Sequence, residues 1–461
     1  MALAAGLAML LIAVVVAATR SGAPAGPPPA GRVSVPGSGD PFAYSAARPG
    51  QFVARATAGS AGVLFTKSPG GAVATAARVN ALHGLILSAT RGSGVDPALL
   101  EGIVFVESAG RPYVVAGADP SAAAGLTQIL AGTGSTLLGM HVDLGRDRRL
   151  LAALARGGSS TQQSRTLAEL ARADDRFDPR RALAATVRYL ELARTTLGRT
   201  DLATVSYHMG IGNLQRVLGA YAGGHPVPYS QLYFDTAPDR HTAAFGLLAG
   251  FGDQSSLYFW RVLGAVQIMR LYRSDLAALR RLAALQTALD YDAEVLHPPD
   301  RTATFADPDA LSTAYAAHAL VPLPVNAGQL GLRIAPSIGA GSRALGVPAG
   351  LYRGLAPPAL ALLSELGVRV RSLAGTRAPL TVQSAVQDRR LQAHTGVDDP
   401  PAATGYAFSL ARRYANRAQA QALQAVLDRL QALNLIAWVR RPASIEVTVA
   451  GDAARVLAHG V

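Results

Sequence analysis

The hydrophobic period of this chain changes along its length, and that change limits the fold more than any other feature. From about Val73 to Leu289 apolar residues recur at helical spacing. Beyond about residue 345 short alternating runs appear, such as Ile445-Glu446-Val447-Thr448-Val449. Of the Asp-Pro pairs in the chain, Asp96-Pro97 and Asp178-Pro179 each place a capping carboxylate directly before a proline, which fits the first turn of a helix. They predict helices from Ala98 to Ser108 and from Pro179 to Leu197, the second stopped by Gly198. Further helices are expected over Leu202–Met209, over Asn213–Tyr221 after an interruption at Gly212, and over Leu257–Leu289. Arg156–Arg176 reads as a more polar insertion. In the C-terminal part Val368-Arg369-Val370 and Leu380-Thr381-Val382 read as short strands, and Ala411–Leu433 as a helix.

At 461 residues the chain exceeds one compact core, so several domains are expected. Hydrophobic residues make up 50% of it, which excludes disorder throughout. The absence of cysteine excludes a disulfide scaffold, a thiolate metal site and a cysteine nucleophile. The formal net charge of +13 is carried almost wholly by arginine, Lys67 being the only lysine. Such a surface suits an acidic polymer. No zinc finger, RNP-type motif or basic stretch with interleaved aromatics is present, so nucleic acid is not expected as a partner.

The first charge after the N-terminus is Arg20. Residues 1–19 are apolar and as a helix would extend roughly 28 Å, the thickness of a bilayer core. They are expected to form a transmembrane anchor, in preference to a cleaved signal. Residues 20–72, with Pro27-Pro28-Pro29 and many glycines, are expected to be a linker. The remaining division is a helical domain over 73–290, a second linker over 291–345 and a small α+β domain over 346–461.

Within the first helix Glu107 follows Val104-Phe105-Val106. A carboxylate against an apolar wall loses hydration and stays protonated nearer neutral pH, as a general acid requires. The bland alternative is a solvent-facing glutamate on an amphipathic helix. Downstream come Gly125-Leu126-Thr127-Gln128 and Ser206-Tyr207-His208-Met209-Gly210-Ile211-Gly212-Asn213. Glu-Ser, Gly-Leu-x-Gln and Tyr-x-x-Gly-x-Gly, in that order, resemble the soluble lytic transglycosylases of goose-type lysozyme fold, over about Asp96 to Tyr272.

The resemblance implies an all-α, lysozyme-like catalytic domain. It implies Glu107 as the catalytic acid, Gln128 as a groove residue, and Tyr207 as the tyrosine that positions acid and substrate. Ser108, His208, Gly210 and Asn213 complete the implied substrate-binding set. Thr127 and His208-Met209 depart from the family pattern. Glycosidases commonly need two carboxylates. Asp119 and Asp143 are the nearby options and neither is obvious, so participation by the substrate is expected instead. That outcome is cleavage with formation of 1,6-anhydro-N-acetylmuramic acid. A lysozyme-type hydrolase and a non-catalytic wall-binding scaffold are the alternatives. Two aromatic clusters, Tyr229/Tyr233/Phe234 in an expected loop and Leu257-Tyr258-Phe259-Trp260, are read chiefly as core.

Near the C-terminus Ser384, Gln387, Ala402-Ala403-Thr404-Gly405-Tyr406-Ala407-Phe408-Ser409 and Glu446 resemble, in diverged form, the zinc D-Ala-D-Ala carboxypeptidases. Ala402, Ser409 and Glu446 stand at the three metal-ligand positions and Gln387 at that of an arginine. Alanine and serine do not hold zinc. No metal and no cofactor is expected, and the domain is read as structural or as binding peptide stems. The whole predicts an enzyme of the cell envelope, membrane-anchored and facing the wall or secreted, whose partners are peptidoglycan glycan strands.

Overall fold

The computed structural model describes residues 24–37, 39–117 and 119–461. The apolar run 1–19, and with it the expected anchor, lies outside the described residues. Among the described residues no single helix is long and apolar enough to cross a membrane.

The structure is mostly helical, with a small sheet region toward the C-terminus. The helical part comprises α1 (Pro49–Thr66), α2 (Gly71–Ala81), α3 (His83–Thr90), α4 (Pro97–Ser108), α5 (Leu144–Ala155), α6 (Ser160–Ala173) and α7 (Pro179–Leu197). It continues with α8 (Thr200–Met209), α9 (Ile211–Ala222), α10 (Tyr229–Phe234), α11 (Thr242–Gly250), α12 (Gly252–Ser256), α13 (Tyr258–Ser274) and α14 (Leu276–Gln286). After α15 (Tyr291–Leu296) and α16 (Pro308–Ala316) come β1 (Val321–Pro322), β2 (Leu332–Ile334), β3 (Gly354–Leu355), α17 (Pro357–Ala374) and β4 (Leu380–Ser384). The chain ends with α18 (Arg389–Thr395), β5 (Ala407–Ala411), α19 (Arg417–Ala432), β6 (Ile436–Arg440), β7 (Ser444–Val449) and α20 (Ala453–His459). The five-stranded sheet has the order β2-β4-β5-β7-β6, parallel between β2 and β4 and antiparallel elsewhere.

Both Asp-Pro signals act as helix starts. The Asp96 carboxylate accepts from Ala98 N at 2.9 Å, and Asp178 accepts from Arg180 N and Arg181 N. Gly198 closes α7 in the left-handed conformation. The break between α8 and α9 falls at Gly210, not Gly212, because Gly210 leaves the helix at φ 86° and ψ 141°. The long helix expected over Leu257–Leu289 is divided by Asp275, whose carboxylate caps α14 through Ala278 N.

Both expected linkers prove to be structured in part. Residues 49–66 form α1, which buries Phe52 and Ala56 against α13 and α19. Ahead of it, Val33 exchanges backbone hydrogen bonds with the Asn326 side chain, and Arg429 donates to Phe42 O at 2.8 Å. Within 291–345, β2 pairs with β4 and forms one edge of the sheet. One hydrophobic cluster therefore runs from Phe52 and Trp260 through Leu363 to Val447, joining the helical part to the sheet. Tertiary burial decides these segments, and composition does not report it. Val368–Val370, expected as a strand, lies inside α17. Prolines open that helix and Gly375 caps it, so local β-branching is overridden.

Helices α4 and α13 cross at close quarters. A Cβ on Gly102 would stand 2.7 Å from Val262 O, so only glycine permits this approach. Gly102→Ala must push the two helices apart, and a loss of about 1–3 kcal/mol is expected by chemical denaturation.

Candidate active site

Glu107 lies in the last turn of α4, half-buried, and Tyr258, the first residue of α13, is 1% exposed. The Tyr258 Oη donates to Glu107 Oε1 at 2.7 Å. The close α4–α13 crossing brings the two residues together from 151 positions apart. Burial pushes the Glu107 carboxyl from its ordinary 4.5 up to about 7, against the opposing hydrogen bond from Tyr258. No other carboxylate contributes to that shift. Asp143 caps α5 through Arg146 N, and Asp119 is exposed and paired with Arg148 at 3.3 Å.

Tyr207, from the last turn of α8, stacks on Tyr258 with ring centroids 6.4 Å apart and an 18° interplanar angle. Its hydroxyl donates to Thr127 O at 2.7 Å and lies 3.2 Å from Thr186 Oγ1. Tyr207 thus ties α8 to the Gly125–Gln128 loop, and the phenol that holds Glu107 is that of Tyr258. His208 packs its ring 5.3 Å from Tyr258 and places Nδ1 3.0 Å from Ser255 Oγ.

Gln128 has a left-handed backbone, φ 51°, and its Nε2 donates to Val114 O at 3.0 Å and Gly125 O at 2.9 Å. The loop is held from behind by Arg176. A Cβ at Gly125, itself at φ 80°, would fall 1.8 Å from Arg176 O, so glycine is obligatory there. The Arg176 side chain is fully buried and pairs with Asp174 at 2.6 Å. It donates to Pro120 O at 2.7 Å, Ala122 O at 2.9 Å and Ile129 O at 3.3 Å. Asp147 lies 3.7 Å from the same guanidinium, and burial together with the Asp174 charge raises its pKa.

One chain of contacts therefore joins Glu107, Tyr258, Tyr207 and the Thr127-Gln128 segment, with His208 beside it. The other expected binding residues stand apart. Ser108 is 2% exposed and turns its hydroxyl back to Val104 O, offering no surface to a polymer. Asn213 donates to Met209 O at 2.7 Å and accepts from Arg216, bracing the α8–α9 break that Gly210 makes. Tyr258 and Arg176 escaped the sequence reading. The only signal was their place, one in an aromatic run opening a helix and the other at the end of a polar stretch. Tyr229 and Phe234 lie in α10, not in a loop, and are fully buried.

A wide cavity lies elsewhere. About 860 Å³ opens between the helical part and the face of the sheet, and Ala402, Ser409 and Glu446 all line it. Ser384 Oγ lies 2.6 Å from Ser409 Oγ. Among the described residues no three His, Asp or Glu side chains are grouped to hold a metal ion. Compared with known proteins, the chain matches no family model and no curated sequence.

Proposed function

We propose that this protein is a peptidoglycan lytic transglycosylase that cleaves the β-1,4 bond between N-acetylmuramic acid and N-acetylglucosamine. The observation that carries the reading is Glu107: a half-buried carboxyl with a pKa near 7, held by Tyr258 and without a second carboxylate beside it. A group of that pKa can give a proton and take one back at neutral pH. Protonated Glu107 donates to the glycosidic oxygen as the bond to C1 breaks. The acetamido oxygen of the muramic residue supports the positive charge at C1, taking the place of the missing nucleophile. Ionised Glu107 then removes the proton of the C6 hydroxyl, whose oxygen bonds to C1 and closes the 1,6-anhydro ring. No water is consumed.

The helical architecture around Glu107 is compatible with a lysozyme-like domain, and the net charge of +13 suits an acidic wall in the cell envelope. Digestion of purified sacculi with the full chain is expected to release muropeptides ending in 1,6-anhydro-muramic acid. Reducing ends that carry oxygen from labelled water would establish a hydrolase instead, and no release at all would leave a binding scaffold.

A further inference from the structure

The cavity of about 860 Å³ reverses the charge of the chain around it. The sequence has 43 Lys and Arg against 30 Asp and Glu, yet seven carboxylates line the cavity against Arg440 and Arg441 alone. Three of the seven have an arginine in reach. Arg441 lies 2.8 Å from Glu446 and 3.9 Å from Asp290, and Arg389 lies 3.2 Å from Asp398. Asp253, Asp292, Asp399 and Asp428 have no cationic partner within ion-pair distance among the described residues. Burial, and then the charge of Asp253, push Asp428 up to about 6 against a hydrogen bond from Gln424 and the more distant charge of Arg440, which is itself bonded to Gln424. A cation placed between Asp253 and Asp428 would relieve that repulsion.

The space follows from the residues on the sheet face. In register, Thr448 stands beside Ala407 and Ala437, and Glu446 beside Ser409, so small side chains occupy positions where a packed core would carry large ones. Thr448 is 6% exposed, lines the cavity, and makes no side-chain hydrogen bond among the described residues. A buried hydroxyl of this kind calls for a polar ligand atom. Ala437, Trp438 and Val439 of β6 also line the cavity, and β6 ends the sheet order, so no strand covers its outer edge. An uncovered edge offers N–H and C=O groups to an extended main chain, and a cavity of this volume accommodates a short peptide.

We propose that this cavity binds a short peptide bearing a side-chain ammonium group, its main chain along β6 and its cation between Asp253 and Asp428. Tyr233, which also lines the cavity, covers the aliphatic stem of that side chain. This binding does not depend on glycan cleavage.

The test is calorimetric titration of the full chain with three capped tripeptides: acetyl-Ala-Lys-Ala-amide, the same peptide acetylated on the lysine Nε, and acetyl-Ala-Glu-Ala-amide. The lysine peptide is expected to bind, and acetylation of its ε-amine to weaken binding by about tenfold or more. The glutamate peptide is expected not to bind. D253N and D428N are each expected to weaken the lysine peptide, with a melting temperature no lower than that of the parent. T448V tests the main-chain end of the site and is expected to weaken both lysine peptides equally. Equal affinity of the amine and its acetylated form overturns the proposal, as does the absence of any heat up to about 10 mM lysine peptide. Because the comparison of peptides is made on the unaltered protein, a variant that misfolds leaves it intact. Glycan cleavage is assayed on the same preparation, so loss of peptide binding and loss of lytic activity are read separately.

Discussion

Glu107→Gln is expected to abolish glycan cleavage, with a loss of about a hundredfold to ten-thousandfold in turnover of sacculi. The amide accepts the Tyr258 hydroxyl much as the carboxyl does, so the local packing survives, but it can neither deliver a proton nor take one. The wild-type activity should fall as pH rises above about 7, where Glu107 ionises and the acid form is depleted. The same substitution should act on stability in the opposite direction. The folded-state pKa of Glu107 is raised above its unfolded value, so its stabilising contribution is complete below about pH 4.5 and is lost as pH rises through about 7. Glutamine does not ionise and escapes that loss. At pH 8 Glu107→Gln should therefore be more stable than the parent by about 1–3 kcal/mol in urea unfolding. An inactive but stabilised variant identifies a chemical role. Retained activity in a folded variant would remove Glu107 from the mechanism.

Arg176→Met should be the most destabilising single substitution near the site. The methionine fills a similar volume but leaves Asp174 and Asp147 buried without a cation, and it strips a donor from the carbonyls of Pro120, Ala122 and Ile129. Breaking one side of a buried ion pair costs about 3–5 kcal/mol. Chemical denaturation measures it, and the double variant with Asp174→Asn should recover part of the loss, since the two residues are coupled. At temperatures where the variant stays folded, glycan cleavage should still fall, because the loop that presents Gln128 and accepts the Tyr207 hydroxyl has lost its anchor. Unchanged stability would mean that the guanidinium holds nothing of consequence.

The parts of this protein that can be read along the chain are those set by interactions within a few residues. Asp96 and Asp178 cap their helices through amides two or three residues on, and Gly198 ends α7 because a left-handed residue is cheap only for glycine. Strand β7 shows its alternation because one face meets the core and the other the cavity. The apolar run before Glu107 likewise announces a carboxyl short of water, since its neighbours in the helix make much of the wall. Tertiary structure alone decided the rest. Val368–Val370 joined a helix because α17 buries Leu363, Leu366 and Val370 in the common core. The stretch 49–66, beyond the Pro/Gly-rich segment, became α1 because α13 and α19 cover its apolar face. Tyr258 reached Glu107, and Arg176 reached the 120–129 loop, through packing between segments far apart in the chain. No local pattern encodes such a meeting, because the energy that fixes it comes from burial and paired charge, which exist only once the helices have closed on one another.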